Sequence, residues 1–242
     1  MRRFLLNPNP MRAIVSRLRR FPSPAAHAAV QAMCRHQWAT IADRTPTYLE
    51  AYVDKPGSDD RAQRRAEWLA GQDVFGDAYS VLELGCGAGR NLAALRRRWA
   101  LTRLYGVDIN AQACAAAREA VPDATITEMD LYALDPTQPG AFDVLFTCGV
   151  LGHIEPAALP GLLATMLKIA RKAVVLCEEP GHGEVAKGPR SWGAEKATDD
   201  YLHWRHPLLE MLLRAGARRV EVSTVPAELQ APAATRLFVV PR

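Results

Sequence analysis

The chain has 242 residues, 49% hydrophobic and 23% charged, a size that accommodates one α/β domain with an additional segment. No apolar run approaches the roughly 20 residues of a membrane span. The five cysteines are scattered and never spaced C-x-x-C, which argues against a zinc site and for a reducing, cytoplasmic setting. The net charge of +4 is local: residues 1–42 carry seven Arg and no acid, while the rest of the chain holds 23 basic and 26 acidic groups. The main body therefore lacks the basic face that nucleic acid requires.

Residues 1–24 contain Pro8, Pro10, Pro22 and Pro24 and are expected to form a basic, flexible leader. The leader is Arg-rich and acid-free like a transit peptide, and it lacks the apolar core of a secretory signal. It is either a solvated tail or a contact for an acidic partner or membrane surface. From Pro24 to Ile41 the Ala-rich run favours helix. Thr47 to Tyr52 reads as a short helix or turn. Lys55 to Asp60 is a break, with Ser58 or Asp59 as N-cap of a helix from Arg61 to Gly71.

The chain is organised around Val81-Leu-Glu-Leu-Gly-Cys-Gly-Ala-Gly-Arg-Asn-Leu92. This reads as a buried strand to Leu84, a glycine turn (Gly85, Gly87, Gly89), then a helix to about Trp99. Glycines at spacing two let the backbone pass close under a ligand, and the helix start presents free N–H groups and a positive dipole end. The dinucleotide fingerprint G-x-G-x-x-G does not fit, because its sixth position is Arg90. The stretch instead begins with Glu83, a carboxylate at a strand end, which suits a cationic ligand better than a pyrophosphate. A second apolar strand, Arg103 to Val107, ends in Asp108, placed to accept both hydroxyls of a ribose.

On Glu83-x-Gly85-x-Gly87-x-Gly89 and Asp108 the sequence resembles the class I S-adenosylmethionine (SAM)-dependent methyltransferases. The resemblance covers roughly residues 74 to 240. It implies an α/β fold, a doubly wound seven-stranded, mostly parallel sheet of order 3-2-1-4-5-7-6 with the last strand antiparallel. It also implies SAM as cofactor and S-adenosylhomocysteine (SAH) as product. In the family the glycine turn holds the methionine part of SAM, with Cys86 read either as packing or as part of that turn. The expected division is residues 1–24 leader, 25–72 helical lid and 73–242 SAM-binding domain. Trp38, Tyr48 and Tyr52 then either line the lid toward substrate or pack its helices.

An Ala-rich helix, Ala111 to Val121, is ended by Pro122, and a third strand spans Ala124 to Met129. By family pattern Asp130 lies beside the adenine amino group, with the ring between Ile109 and Leu131; the other reading of Asp130 is a capping residue. A fourth strand, Ala141 to Thr147, runs to the sheet edge where open α/β folds bind ligands. Its loop, Cys148-Gly-Val-Leu-Gly-His153-Ile, is similar to the G-V-L-x-H-I loop of the sugar-biosynthesis-associated, pseudaminic acid type of methylase. In the family it borders both sulfonium and substrate, so His153 is either a general base or a packing residue.

Leu159 to Ala170 is an amphipathic helix and Ala173 to Cys177 a buried fifth strand. The strand delivers Glu178, Glu179 and His182 to the same edge, as a substrate cluster or a solvated acidic turn. Residues 183–204 read as a long irregular connection. Tyr201, His203, Trp204 and His206 follow as candidates to close over substrate, then a helix Leu208 to Ala215 and strands Arg218 to Val225 and Thr235 to Val240. The expected catalytic residues are His153, Glu179 and His182, with Thr147 at the cofactor and no metal. The family's DNA and protein amino-methylating members carry N/D-P-P-Y after the fourth strand. Thr147-Cys-Gly-Val150 does not, which directs the expectation to an O or N of a small molecule: a sugar, natural product or short peptide. The expected assembly is a monomer or homodimer. The alternatives are a non-catalytic SAM-binding module and, disfavoured by the early third glycine, a nucleotide-dependent oxidoreductase.

Overall fold

The computed structural model describes residues 23–44, 60–137, 141–181, 184–185, 203–229 and 235–242. Two helices precede the sheet: α1 (Pro24–Ala39), followed by a single turn Ile41–Arg44, and α2 (Asp60–Ala70). Ser23 caps α1 by accepting the Ala26 N–H at 3.2 Å, with Pro24 next to it at the first helical position. The alternation then runs β1 (Ser80–Leu84), α3 (Arg90–Arg98), β2 (Arg103–Asp108), α4 (Ala111–Ala120), β3 (Thr125–Glu128), β4 (Phe142–Cys148), α5 (Leu159–Ile169) and β5 (Ala170–Glu178). It closes with β6 (Glu184–Val185), β7 (Trp204–Arg205), α6 (Leu208–Arg214), β8 (Glu221–Thr224) and β9 (Arg236–Pro241).

The main sheet has seven strands in the order β3-β2-β1-β4-β5-β9-β8. Numbered among themselves, these strands follow the expected 3-2-1-4-5-7-6, and β9 runs antiparallel to both neighbours. The reversal of order between β1 and β4 opens the crevice in which such sheets bind ligands. A separate ladder of β6 and β7 pairs the two ends of the segment expected to be irregular.

Both faces of the sheet are covered. Val81, Phe146, Val175 and Leu237 point to a core shared with α2, α3 and α4. Leu82, Leu145, Val174 and Phe238 point to a second core under α5 and α6. Side chains alternate faces along a strand, so a strand buried on both sides must be apolar at every position. The buried polar residues in β1 are Ser80 at its start and Glu83, 1% exposed.

The N-terminal helices are anchored by polar contacts. Asn110 caps α4 by accepting the Ala113 N–H at 2.8 Å, and its Nδ2 donates to the carbonyls of Trp38 and Ala39 at 3.1 Å each. His27 Nδ1 lies 2.8 Å from the buried Glu155, and Trp99 Nε1 donates to the Ala70 carbonyl at 2.8 Å. Residues 1–22, the stretch Thr47 to Tyr52 and the caps Ser58 and Asp59 lie outside the described residues, as does most of 183–202. Among the described residues no helix is long and apolar enough to cross a membrane.

Candidate cofactor and acceptor site

The glycine turn between β1 and α3 is the floor of the site. Gly85, Gly87 and Gly89 have φ of 73°, 51° and 81°, the left-handed region that a residue with a Cβ enters only at a cost. Gly85 also has no room to spare: a Cβ there would lie 2.6 Å from Val150 Cγ2. Asp108, at the end of the neighbouring strand, pins this turn. Its Oδ2 accepts the Gly87 N–H at 2.8 Å and its Oδ1 the Asn110 N–H at 2.9 Å. Burial raises its pKa, against the pull of these backbone donors. A carboxylate has about four acceptor positions, so Asp108 can hold the turn and still accept ligand hydroxyls.

Glu83 lies under the turn. Its Oε1 accepts from Asn91 Nδ2 at 2.6 Å, while Oε2 is buried without a hydrogen-bond partner. Burial pushes its pKa well above the carboxylate range, the condition that a nearby cation relieves. On the other side of the turn, Arg65 of α2 and Arg90 of α3 both act on the thiol of Cys148 at the end of β4. Ala62, Arg65, Gly85, Cys86, Gly87, Arg90, Asn91 and Cys148 line a cavity of about 50 Å³. The donor set fits a zwitterionic amino acid: a carboxylate for its ammonium group and two guanidiniums for its carboxylate. A wider groove of about 390 Å³ opens at the other edge of the sheet, beside Thr165, Lys168 and Arg242, and holds no comparable constellation.

Beyond β3, Asp130 caps the turn Leu131–Ala133 by accepting the Tyr132 N–H at 3.0 Å, and its Oδ2 pairs with Arg35 Nη1 at 3.2 Å. Asp130 therefore serves as a cap and as the partner of Arg35. Ile109 and Leu131 are half-buried, and Thr147 is fully buried at the end of β4.

A cluster of rings beside the turn after β4 is assembled from three parts of the chain. The ring of His153, in the turn after β4, lies 4.4 Å from Trp38 of α1 and 5.2 Å from His203, centroid to centroid. All four rings of His153, His203, Trp204 and His206 are largely buried. Gly152 permits this, since any Cβ there would strike the His203 ring.

Two expected roles change. Glu179 is ion-paired with Arg205 of β7 rather than presented to a substrate. His206 packs with 2% exposure and its Nε2 lies 3.0 Å from the Leu151 carbonyl, so it holds the loop after β4, and burial lowers its pKa. Trp204, 4% exposed in β7, is likewise wall rather than open lid. Tyr48, Tyr52, His182 and Tyr201 lie outside the described residues.

A family model described as "Methyltransferase domain" matches residues 81–173, the stretch from β1 to the start of β5. A trans-aconitate 2-methyltransferase of Azoarcus sp. (strain BH72) is 32% identical over 145 residues, 57% of this chain and 56% of that one. Residues 81–173 are thus similar in sequence to a methyltransferase domain. The chain spans about half the length of the curated relatives it matches. The fold of the chain is shared with magnesium protoporphyrin IX methyltransferase from Synechocystis PCC 6803, solved with bound SAM. The TM-score is 0.64 at 14% identity, covering 88% of this chain and 97% of that one. It is shared also with the Burkholderia thailandensis 1,6-didemethyltoxoflavin-N1-methyltransferase, with TM-score 0.62 at 21% identity, covering 92% and 91%.

Sequence reasoning missed Arg65, Arg90, Asn91 and Cys148 as parts of the cavity beside the glycine turn. Arg90 and Asn91 directly follow the glycine turn, where a helix start faces the ligand, so that signal was present. Nothing local marks Arg65, because a separate helix brings it there.

Proposed function

We propose that the chain binds SAM in the crevice beside β1 and transfers its methyl group to an oxygen or nitrogen of a small molecule. The observation that carries this reading is Glu83. Its carboxyl is buried under the glycine turn with one oxygen unpartnered, and Asp108 stands one strand away. SAM when bound supplies a methyl carbon on a positively charged sulfur. Glu83 would face its ammonium group, Arg65 and Arg90 its carboxylate, and Asp108 its ribose, with the adenine between Ile109 and Leu131.

Methyl transfer is an in-line displacement from an excellent leaving group, so alignment and exclusion of water are the protein's main tasks. The aromatic and imidazole wall of Trp38, His153 and His203 excludes water on the acceptor side. His153 can take a proton from a hydroxyl acceptor. A carboxylate acceptor requires no base, and the trans-aconitate methyltransferase relatives make carboxylic acids the first acceptors to try. The cavity of about 50 Å³ is well below the roughly 300 Å³ at which small-molecule sites begin. We read α1 and α2 as a lid that moves to admit the cofactor.

Thermal melting with SAH tests the reading. SAH raises the melting temperature, NAD does not, and the D108A substitution abolishes the SAH shift. SAH release from SAM is then followed over a panel of carboxylic acids, sugars and short peptides. His153→Ala lowers turnover of a hydroxyl acceptor about 100-fold while leaving the SAH shift in place. A chain that binds NAD and not SAH overturns the assignment. SAH binding without turnover on any acceptor class favours the non-catalytic module.

A further inference from the structure

The cofactor cavity contains a feature that methyl transfer does not use. Cys148 and Cys177 are direct register partners on the neighbouring parallel strands β4 and β5. They face the same core, and their thiols hydrogen-bond to each other. Adjacent strands lie about 4.8 Å apart, within the roughly 4.4–6.8 Å between Cα atoms that a disulfide spans. Cys148 is partly buried and lines the cavity of about 50 Å³, room for a few water molecules and for a peroxide of similar size. Cys177 is buried behind it.

We propose that Cys148 and Cys177 are an oxidisable thiol pair in the wall of the cofactor pocket, with Cys148 the peroxide-reactive member and Cys177 the resolving one. The Cys148 thiolate attacks a hydroperoxide oxygen. The O–O bond breaks, the sulfur is oxidised to a sulfenic acid, and the peroxide leaves as an alcohol or water after taking a proton. The Cys177 sulfur, giving up its proton, then attacks the Cys148 sulfur. The S–O bond breaks, water leaves and the disulfide forms. In total, two thiols and one hydroperoxide yield one disulfide, one alcohol and one water.

Selectivity follows from the surroundings. The Cys177 hydrogen bond and the Arg65 and Arg90 guanidiniums bring the Cys148 thiol down to about 6. Burial instead pushes Cys34 up to about 12 and Cys114 to about 11, and holds Cys86 well above the ordinary thiol value. Near neutral pH Cys148 alone carries substantial thiolate, the reactive form.

The experiment treats the full chain at pH 7 with a small excess of hydrogen peroxide and reads each cysteine by peptide mass spectrometry. Expected is a Cys148–Cys177 cross-linked peptide, with initial oxidation at Cys148 at least about 10-fold faster than at any other cysteine. In Cys177→Ser the reaction stops at a Cys148 sulfenic acid that dimedone traps. In Cys148→Ser no cross-link forms. The melting temperature of each variant confirms that it is folded. Uniform oxidation of all five cysteines, or a folded Cys177→Ser variant without trapped sulfenic acid, overturns the proposal. These readouts need no cofactor. Protection of Cys148 by bound SAH is a second arm that depends on the SAM reading. Cross-linking without protection therefore refutes the shared pocket and leaves the thiol pair standing.

Discussion

Replacing Glu178 with glutamine isolates the energetics of one buried proton. Glu178 ends β5 with 3% exposure, and its Oε1 accepts the Val150 N–H at 2.9 Å, fixing the loop that carries His153. Burial raises its pKa from the ordinary 4.5 to about 7, against the hydrogen bonds from Val150, Thr147 and Leu151. Because the folded value lies above the unfolded one, folding takes up a proton between these limits. The stabilisation is fully present below about pH 4.5 and is lost as pH rises through about 7. A tenfold difference in proton affinity between the folded and unfolded chain is worth about 1.4 kcal/mol, so about 2.5 kcal/mol disappears between pH 5 and pH 8. Glutamine keeps the acceptor oxygen and nearly the same volume but has no proton to lose. Urea unfolding of wild type and Glu178→Gln, followed by tryptophan fluorescence at pH 5, 6, 7 and 8, gives the difference in stability at each pH. Other groups titrate in both proteins and largely cancel. The difference should move toward the variant by about 2.5 kcal/mol across the range. Two parallel curves would refute the buried-proton argument, and movement toward wild type would reverse its sign.

Two further substitutions probe the scaffold. Asn110→Ala removes the cap on α4 and the two bonds to the end of α1; it should lower stability by about 2 kcal/mol in urea unfolding. It should also speed proteolysis within α1, since Asn110 joins that helix to the domain. Gly85→Ala places a Cβ 2.6 Å from Val150 at a positive φ. The expected result is a melting temperature several degrees lower and loss of the SAH shift, whereas an unchanged shift would mean that the turn does not seat the cofactor.

Much of the fold was legible because β1 to β5 are short apolar runs punctuated by glycine, proline and capping residues. Both faces of a central parallel sheet are buried, so its strands write themselves into composition. Strand and helix limits agree with the reading to within a few residues. The largest differences are at β5, which begins at Ala170 rather than Ala173 because α5 runs straight into it, and at β8, which begins at Glu221 rather than Arg218. The site was less legible. Glu83, the glycines and Asp108 lie next to identifiable strand ends, so their proximity could be inferred from topology alone. Arg65, Trp38 and His203 reach the crevice from elements far away in sequence, and no local pattern records such convergence.

The sequence by itself determined the alternation of strands and helices, the glycine turn and the carboxylate at the strand end before it, since these depend on local propensity, hydrophobic period and spacing. Only the tertiary structure decided which polar groups are committed. Asp108 is bonded to the turn, Asp130 to Arg35, Glu179 to Arg205 and His206 to the Leu151 carbonyl. A side chain's chemistry is written in its residue type, but its partner is fixed by packing. Burial makes an unpartnered polar group costly, so the folded chain engages most of the groups that the sequence shows as available.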